Sequence, residues 1–129
     1  MALPDERSRL DQITEKIIGC AHEVSNSLGC GFLEKVYENA LAHELSQAGL
    51  SISQQQSLRV FYKSVVVGDY QADIVVEGAI IVELKAVKAL DDVHAAQCLN
   101  YLRATDLHVC LLINFGKPRL ELRRIVLGF

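Results

Sequence analysis

Residues 72–86 read ADIVVEGAIIVELKA, and no other stretch limits the fold of this chain so tightly. Two runs of aliphatic, largely β-branched residues flank Glu77-Gly78-Ala79, the pattern of a buried hairpin. Set into those runs are Asp73, Glu83 and Lys85. Charged side chains in a strand interior are costly to desolvate unless they are paired or bind something. The fold must therefore bring ion partners, or a ligand, to one spot in its sheet.

Side chains alternate along a strand, so Glu83 and Lys85 share one face while Val82 and Leu84 share the other. A three-residue loop at Glu77-Gly78-Ala79 sets Val76 opposite Ile80 and Asp73 opposite Glu83. A two-residue turn would set Asp73 against Val82 and point the carboxylates apart. Gly78 suits the left-handed position of the three-residue form. Two carboxylates about 5 Å apart repel by roughly 3 kcal/mol at an effective dielectric near 20. Lys85 relieves part of this; a divalent cation, which takes carboxylates, waters and phosphates as ligands, relieves more. The alternative is a cross-strand ion pair on a solvated face, because D-x(9)-E-x-K is a short pattern.

The surrounding periodicity is that of an α/β chain. Leu10, Ile13, Ile17, Ala21, Val24 and Leu28 recur at three- and four-residue steps, a first amphipathic helix ending near Gly29 and Gly31. Leu33, Val36, Tyr37, Ala40, Leu41 and Leu45 repeat the pattern, with Gly49 placed for the C′ position. Residues Ser57 to Val67 predict one or two strands, and Gly68-Asp69 predicts a turn into a strand from Tyr70 to Val76. A further strand runs from Ala79 to Val87. Asp91 or Asp92 can cap a helix to about Ala104, with Ala95, Cys98, Leu99 and Leu102 on its apolar face.

Leu107 to Asn114 is a continuous apolar run typical of a strand buried on both faces, and Arg119 to Leu127 follows as the last strand. The order ααβ(β)ββαββ predicts a mixed sheet with helices on its faces. Without repeats or linkers, the 129 residues form a single domain, residues 1–129.

Several function classes drop out. Cys20, Cys30, Cys98 and Cys110 show neither a CxxC pair nor zinc-finger spacing. No apolar run is long enough to span a membrane, and MALPDERSRLDQ lacks the apolar core of a secretory signal, so a cytoplasmic chain is expected. A net charge of −3 excludes coating nucleic acid by bulk electrostatics. The best local basic patch is Lys117, Arg119, Arg123 and Arg124, which can equally be a strand edge protected by charge. The apolar Leu107–Phe115 strand and Phe129 leave room for a homodimer.

Two smaller signals complete the set. Glu34 and Tyr37, three apart, share a helical face at the start of the second helix. An acid there is favoured by the helix dipole alone. His94, Gln97 and Tyr101 form a polar stripe beside the apolar face of the third helix, where boundary residues are common.

Taken together, Gly31-x-x-Glu34-x-x-Tyr37, Ala72-Asp73, Glu83-Leu84-Lys85, Gln97 and Tyr101 resemble the GxxExxY family of the PD-(D/E)xK nuclease superfamily. The resemblance runs from about Ile13 to Val126 and includes Leu112-Ile113-Asn114-Phe115. It implies a restriction-endonuclease-like core, a mixed β-sheet flanked by helices. It further implies that Asp73, Glu83 and the main-chain carbonyl of Leu84 bind Mg2+ or Mn2+, and that Lys85 orients or activates the attacking water. Glu34 would be the additional helix acid. Gln97 would contact substrate or position the strand, with Tyr37, Tyr101 and His94 in support. The substrate class implied is DNA or RNA. Ala72 stands where the signature has proline, a position that shapes backbone and supplies no ligand. The alternative function is a non-catalytic interaction or regulatory module in which Lys85 bridges the two carboxylates as a structural network.

Overall fold

In the computed structural model, which describes residues 4–128, the apolar stripe of the first helix is buried as its spacing predicts. Leu10, Ile13, Ile17, Ala21 and Val24 all face inward from α1 (Pro4–Leu28). Helix α2 (Glu34–Gln47) lies against α1, burying Tyr37, Leu41, Ala42 and Leu45. Then come β1 (Ile52–Tyr62), β2 (Val65–Val76), β3 (Ile80–Lys85), α3 (Asp92–Thr105), β4 (Val109–Asn114) and β5 (Glu121–Val126). The five strands form one sheet in sequential order, antiparallel except for the parallel β3–β4 pair that α3 connects. The sheet is mixed and the fold is α/β, as the periodicity requires.

The sheet has a helical layer on each face. Ile74, Val76, Ile80, Val82, Leu84, Leu111 and Ile113 pack with α1 and α2. Val75, Ile81, Cys110 and Leu112 pack with Cys98, Tyr101 and Leu102 of α3. Strands β3 and β4 sit between the layers and so are apolar on both sides except at Glu83, Lys85 and Asn114 near their C-terminal ends. No helix among the described residues is long and apolar enough to cross a membrane.

Three expectations are corrected. The first hairpin turns at Lys63-Ser64, not at Gly68-Asp69, which lie inside β2. Lys63 and Ser64 have φ of 49° and 68°, the two left-handed residues that a tight hairpin turn requires. Neither residue type announces such a turn. Gly68 serves a different purpose: a Cβ there would lie 3.2 Å from the Tyr70 ring, beside the irregularity at Val60/Phe61. Second, β1 begins at Ile52, because Gln54 and Gln56 pair with Ile74 and Ala72 of β2 despite the lack of apolar alternation. Third, β4 is interior and wholly buried between β3 and β5, so Val109–Asn114 presents no exposed apolar face to a second copy. Phe129 lies outside the described residues.

Ser64→Gly should raise stability by up to about 1 kcal/mol by relieving left-handed strain. Gly68→Ala should lower it, because its methyl meets the Tyr70 ring. Urea midpoints of the two variants check both signs.

Candidate functional site

The β2–β3 ladder starts where the three-residue loop sets it, with Val76 opposite Ile80, Val75 opposite Ile81 and Ile74 opposite Val82. One step further the backbone pairing gives way to side chains. The Asp73 amide donates to Glu83 Oε1 at 3.2 Å, and the Leu84 amide donates to Asp73 Oδ2 at 2.9 Å. The two carboxylates therefore face each other across the point where β2 leaves β3. The alternation of β2 breaks at the same residue: Ile74 packs in the α1–α2 layer, yet Ala72 packs in the α3 layer.

On the far side of β2, Gln55 stands at the matching place in β1 with φ of 52°, a left-handed conformation that is strained for a residue with a side chain. Its amide donates to Glu38 Oε1 at 2.8 Å and lies 3.3 Å from Asp73 Oδ1. Glu38 is 3 % exposed and also accepts from Gln54 at 2.8 Å and Lys35 at 3.0 Å. A chain of polar contacts thus runs from α2 through β1 to Asp73. Sequence reasoning did not find Glu38 or Gln55. The available signals were the four-residue step from Glu34 to Glu38 and the glutamine run in a strand.

Charge is poorly compensated here. Glu83 is 4 % exposed, and burial together with the Asp73 charge pushes its carboxyl up to about 9. Glu34, the first residue of α2, is also raised, by desolvation and then by Asp73, with Lys85 and His94 opposing. Asp73, Lys85 and His94 are therefore within electrostatic reach of Glu34. Lys85 is half-buried, and among the described residues its ammonium has no carboxylate within 4 Å.

Helix α3 places the remaining residues of the motif. Tyr101 is buried, and its hydroxyl is pushed up to about 12 by desolvation first, then by the charges of Glu83 and Asp73. Gln97, half-buried one turn earlier, lines a groove with Tyr101. His94 completes a capping box: its Nδ1 accepts from the Asp91 amide at 3.2 Å, while Asp91 caps Val93 and His94. Tyr37 is fully buried, donates to the Gly29 carbonyl at 2.7 Å, accepts from the Phe32 amide, and stacks on Phe115. It secures the loop that leads into Glu34.

The segment after Lys85 is held by Asn114, opposite Lys85 in the parallel register. Asn114 accepts from the Val87 and Gly116 amides and donates to the Val87 carbonyl and Glu121. Gly116 is required by the same approach, since a Cβ there would lie 2.3 Å from the Val87 carbonyl oxygen. The basic run is largely committed elsewhere. Arg124 pairs with Asp11 of α1 at 2.7 Å, and Arg123 lies 3.9 Å from Asp92.

As donors, Asp73, Glu83 and the Leu84 carbonyl are all oxygens, which suits a hard cation. Leu84 gives its amide to Asp73, and the amide and carbonyl of one strand residue point to the same edge, here the opened one. Among the described residues, no group of three or more His, Cys, Asp or Glu side chains stands ready to enclose a metal. Two carboxylates and a peptide carbonyl are thus a partial set, of the kind that waters and a substrate phosphate complete.

A family model described as PD-(D/E)XK nuclease superfamily matches residues 11–125. No curated protein matches the sequence. Among solved structures, SSO0001 superposes with a TM-score of 0.54 at 14% identity, over 74% of this chain and 51% of that one. The alkaline exonuclease LHK-Exo from Laribacter hongkongensis superposes with a TM-score of 0.54 at 12% identity, over 94% of this chain and 70% of that one. The chain thus spans about half the length of the first of these and more than two thirds of the second. At such identities the likeness is one of fold.

Because the folded Glu83 carboxyl titrates above its unfolded value, its favourable contribution is complete below about 4.5 and is lost as pH rises toward 9. Wild-type stability should therefore decline over that window in metal-free buffer. In Glu83→Gln the decline should flatten and the variant should gain on the wild type at high pH. Urea midpoints at pH 5, 7 and 9 check this.

Proposed function

The chain belongs to the PD-(D/E)XK nuclease superfamily, and from that premise we propose that it is a metal-dependent phosphodiesterase acting on DNA or RNA. The observation that carries this reading is the pair of buried Glu83 and half-buried Asp73 at an opened strand edge, with no cationic side chain within 4 Å among the described residues. Like charges so placed are destabilising unless a proton or a cation intervenes. The Gly31–Glu34–Tyr37 motif supports the finer assignment to the GxxExxY family.

Asp73, Glu83 and the Leu84 carbonyl would hold Mg2+ or Mn2+, with Glu34 as an additional acid beside them. Bound there, the cation lowers the pKa of a water and offsets charge developing on the phosphodiester. The protein's own groups do the positioning. The Leu84 amide fixes the orientation of Asp73, and Gln55 ties Asp73 to the buried Glu38. Lys85, on the same strand face as Glu83, is free of ion partners within 4 Å among the described residues, so it can orient the attacking water and meet a phosphate oxygen. Attack of water on phosphorus would form one P–O bond and break another, the water giving up a proton to solvent and the leaving oxygen taking one from it. A structural bridge from Lys85 to both carboxylates, the basis of the non-catalytic alternative, is not formed.

Calorimetric titration of Mn2+ in phosphate-free buffer should give saturable binding to the wild type and none to Asp73→Asn. Equal binding by that variant would remove Asp73 from the site. Lys85→Ala should melt within a few degrees of the wild type while losing cleavage of DNA and RNA, because its ammonium supports no buried ion pair. A loss of about 3–5 kcal/mol in Lys85→Ala would instead mark a structural network.

A further inference from the structure

Beyond the carboxylates, the β1–β2 hairpin continues past the end of β3 and curls over α3. Between hairpin and helix lies a half-open groove of about 800 Å³, within the size range of small-ligand sites. Phe61 and Tyr70 line it from the hairpin, and Gln97, Asn100, Tyr101 and Arg103 line it from α3. Phe61 is 61% exposed and Tyr70 is 50% exposed, and the Tyr70 and Tyr101 rings are 5.8 Å apart. Gly68 leaves the space that the Tyr70 ring occupies.

Exposed rings flanked by amides and one cation match the chemistry of an unpaired nucleotide. Aromatic faces stack bases, and Gln97 and Asn100 can hydrogen-bond base edges. Among the described residues Arg103 is the only charged one lining the groove, so the charge there is complementary to a phosphate. The groove reaches Tyr101 of α3, which packs in the same layer as Ala72 next to Asp73, and the Tyr101 hydroxyl lies within electrostatic reach of Glu83 and Asp73.

Overall charge decides between strands and duplexes. A chain of net charge −3 cannot hold a duplex by counterion release alone, and a duplex keeps its base faces covered. Stacking needs bases that are already unpaired. We infer that the groove between the β1–β2 hairpin and α3 binds single-stranded nucleic acid by stacking bases on Tyr70 and Phe61, and feeds that strand toward Asp73 and Glu83. This rests on the nuclease reading for its direction, but the binding itself requires no metal.

The test is fluorescence titration of labelled oligothymidylate and oligouridylate, and of a duplex of equal length, in excess chelator. Binding of either single strand is expected, with the duplex weaker. Tyr70→Ala should weaken strand binding roughly tenfold or more. The salt slope should be shallow, near the value of about −0.7 that one phosphate contact on a single strand gives. Equal affinity for duplex, or unchanged affinity in Tyr70→Ala with its fold intact by circular dichroism, would overturn the inference. So would a wild-type dimer that Phe61→Asp converts to monomers without altering oligonucleotide affinity, because a second copy would then be the occupant. Strand binding without any metal-dependent cleavage would leave the inference standing and sink the nuclease reading instead.

Discussion

Two carboxyl groups pressed together where β2 parts from β3 are the point on which the architecture turns. A continuous ladder would satisfy the backbone of both strands and leave no opening in the sheet. Here the ladder ends at Ile74 and Val82, and the Asp73 and Leu84 amides bond to carboxylates in its place. Backbone satisfaction and site construction become one requirement. Burial and the Asp73 charge raise Glu83 far above an ordinary carboxyl, which favours a proton on Glu83.

The elements around this pair act chiefly to hold it in place. Tyr37 pins the loop before α2, and α2 in turn presents Glu34 and the buried Glu38. Glu38 gathers Lys35, Gln54 and Gln55, and Gln55 reaches Asp73. On the other edge, Asn114 clamps Val87 and so fixes where β3 ends after Lys85. Buried polar networks of this kind favour one geometry when fully satisfied, and the described residues leave no buried side-chain nitrogen or oxygen without a partner.

The departure of β2 from β3 also releases the β1–β2 hairpin to run on alone. Phe61, Tyr62, Val65, Val66, Val67 and Tyr70 are left substantially exposed along it. Contiguous apolar surface of this kind marks an interaction site more often than it is incidental. Site and groove are therefore two consequences of one strand leaving its neighbour.

Local periodicity and the spacing of charges were enough to determine a good deal. Steps of three and four residues placed α1, α2 and α3, and the continuous apolar run placed β4, because those signals depend only on which face of an element is buried. Glu77-Gly78-Ala79 determined the register that brings Asp73 to Glu83, since its length alone sets the parity of the hairpin. Only the tertiary structure decided the turn at Lys63-Ser64, where two ordinary residues adopt left-handed φ because the flanking strands hold them there. It alone placed Gln54–Gln56 in a strand, gave Gln55 its bridging role, and set His94 in a helix cap. Those outcomes depend on partners distant along the chain, and a pattern read locally has no access to a partner it has not yet met.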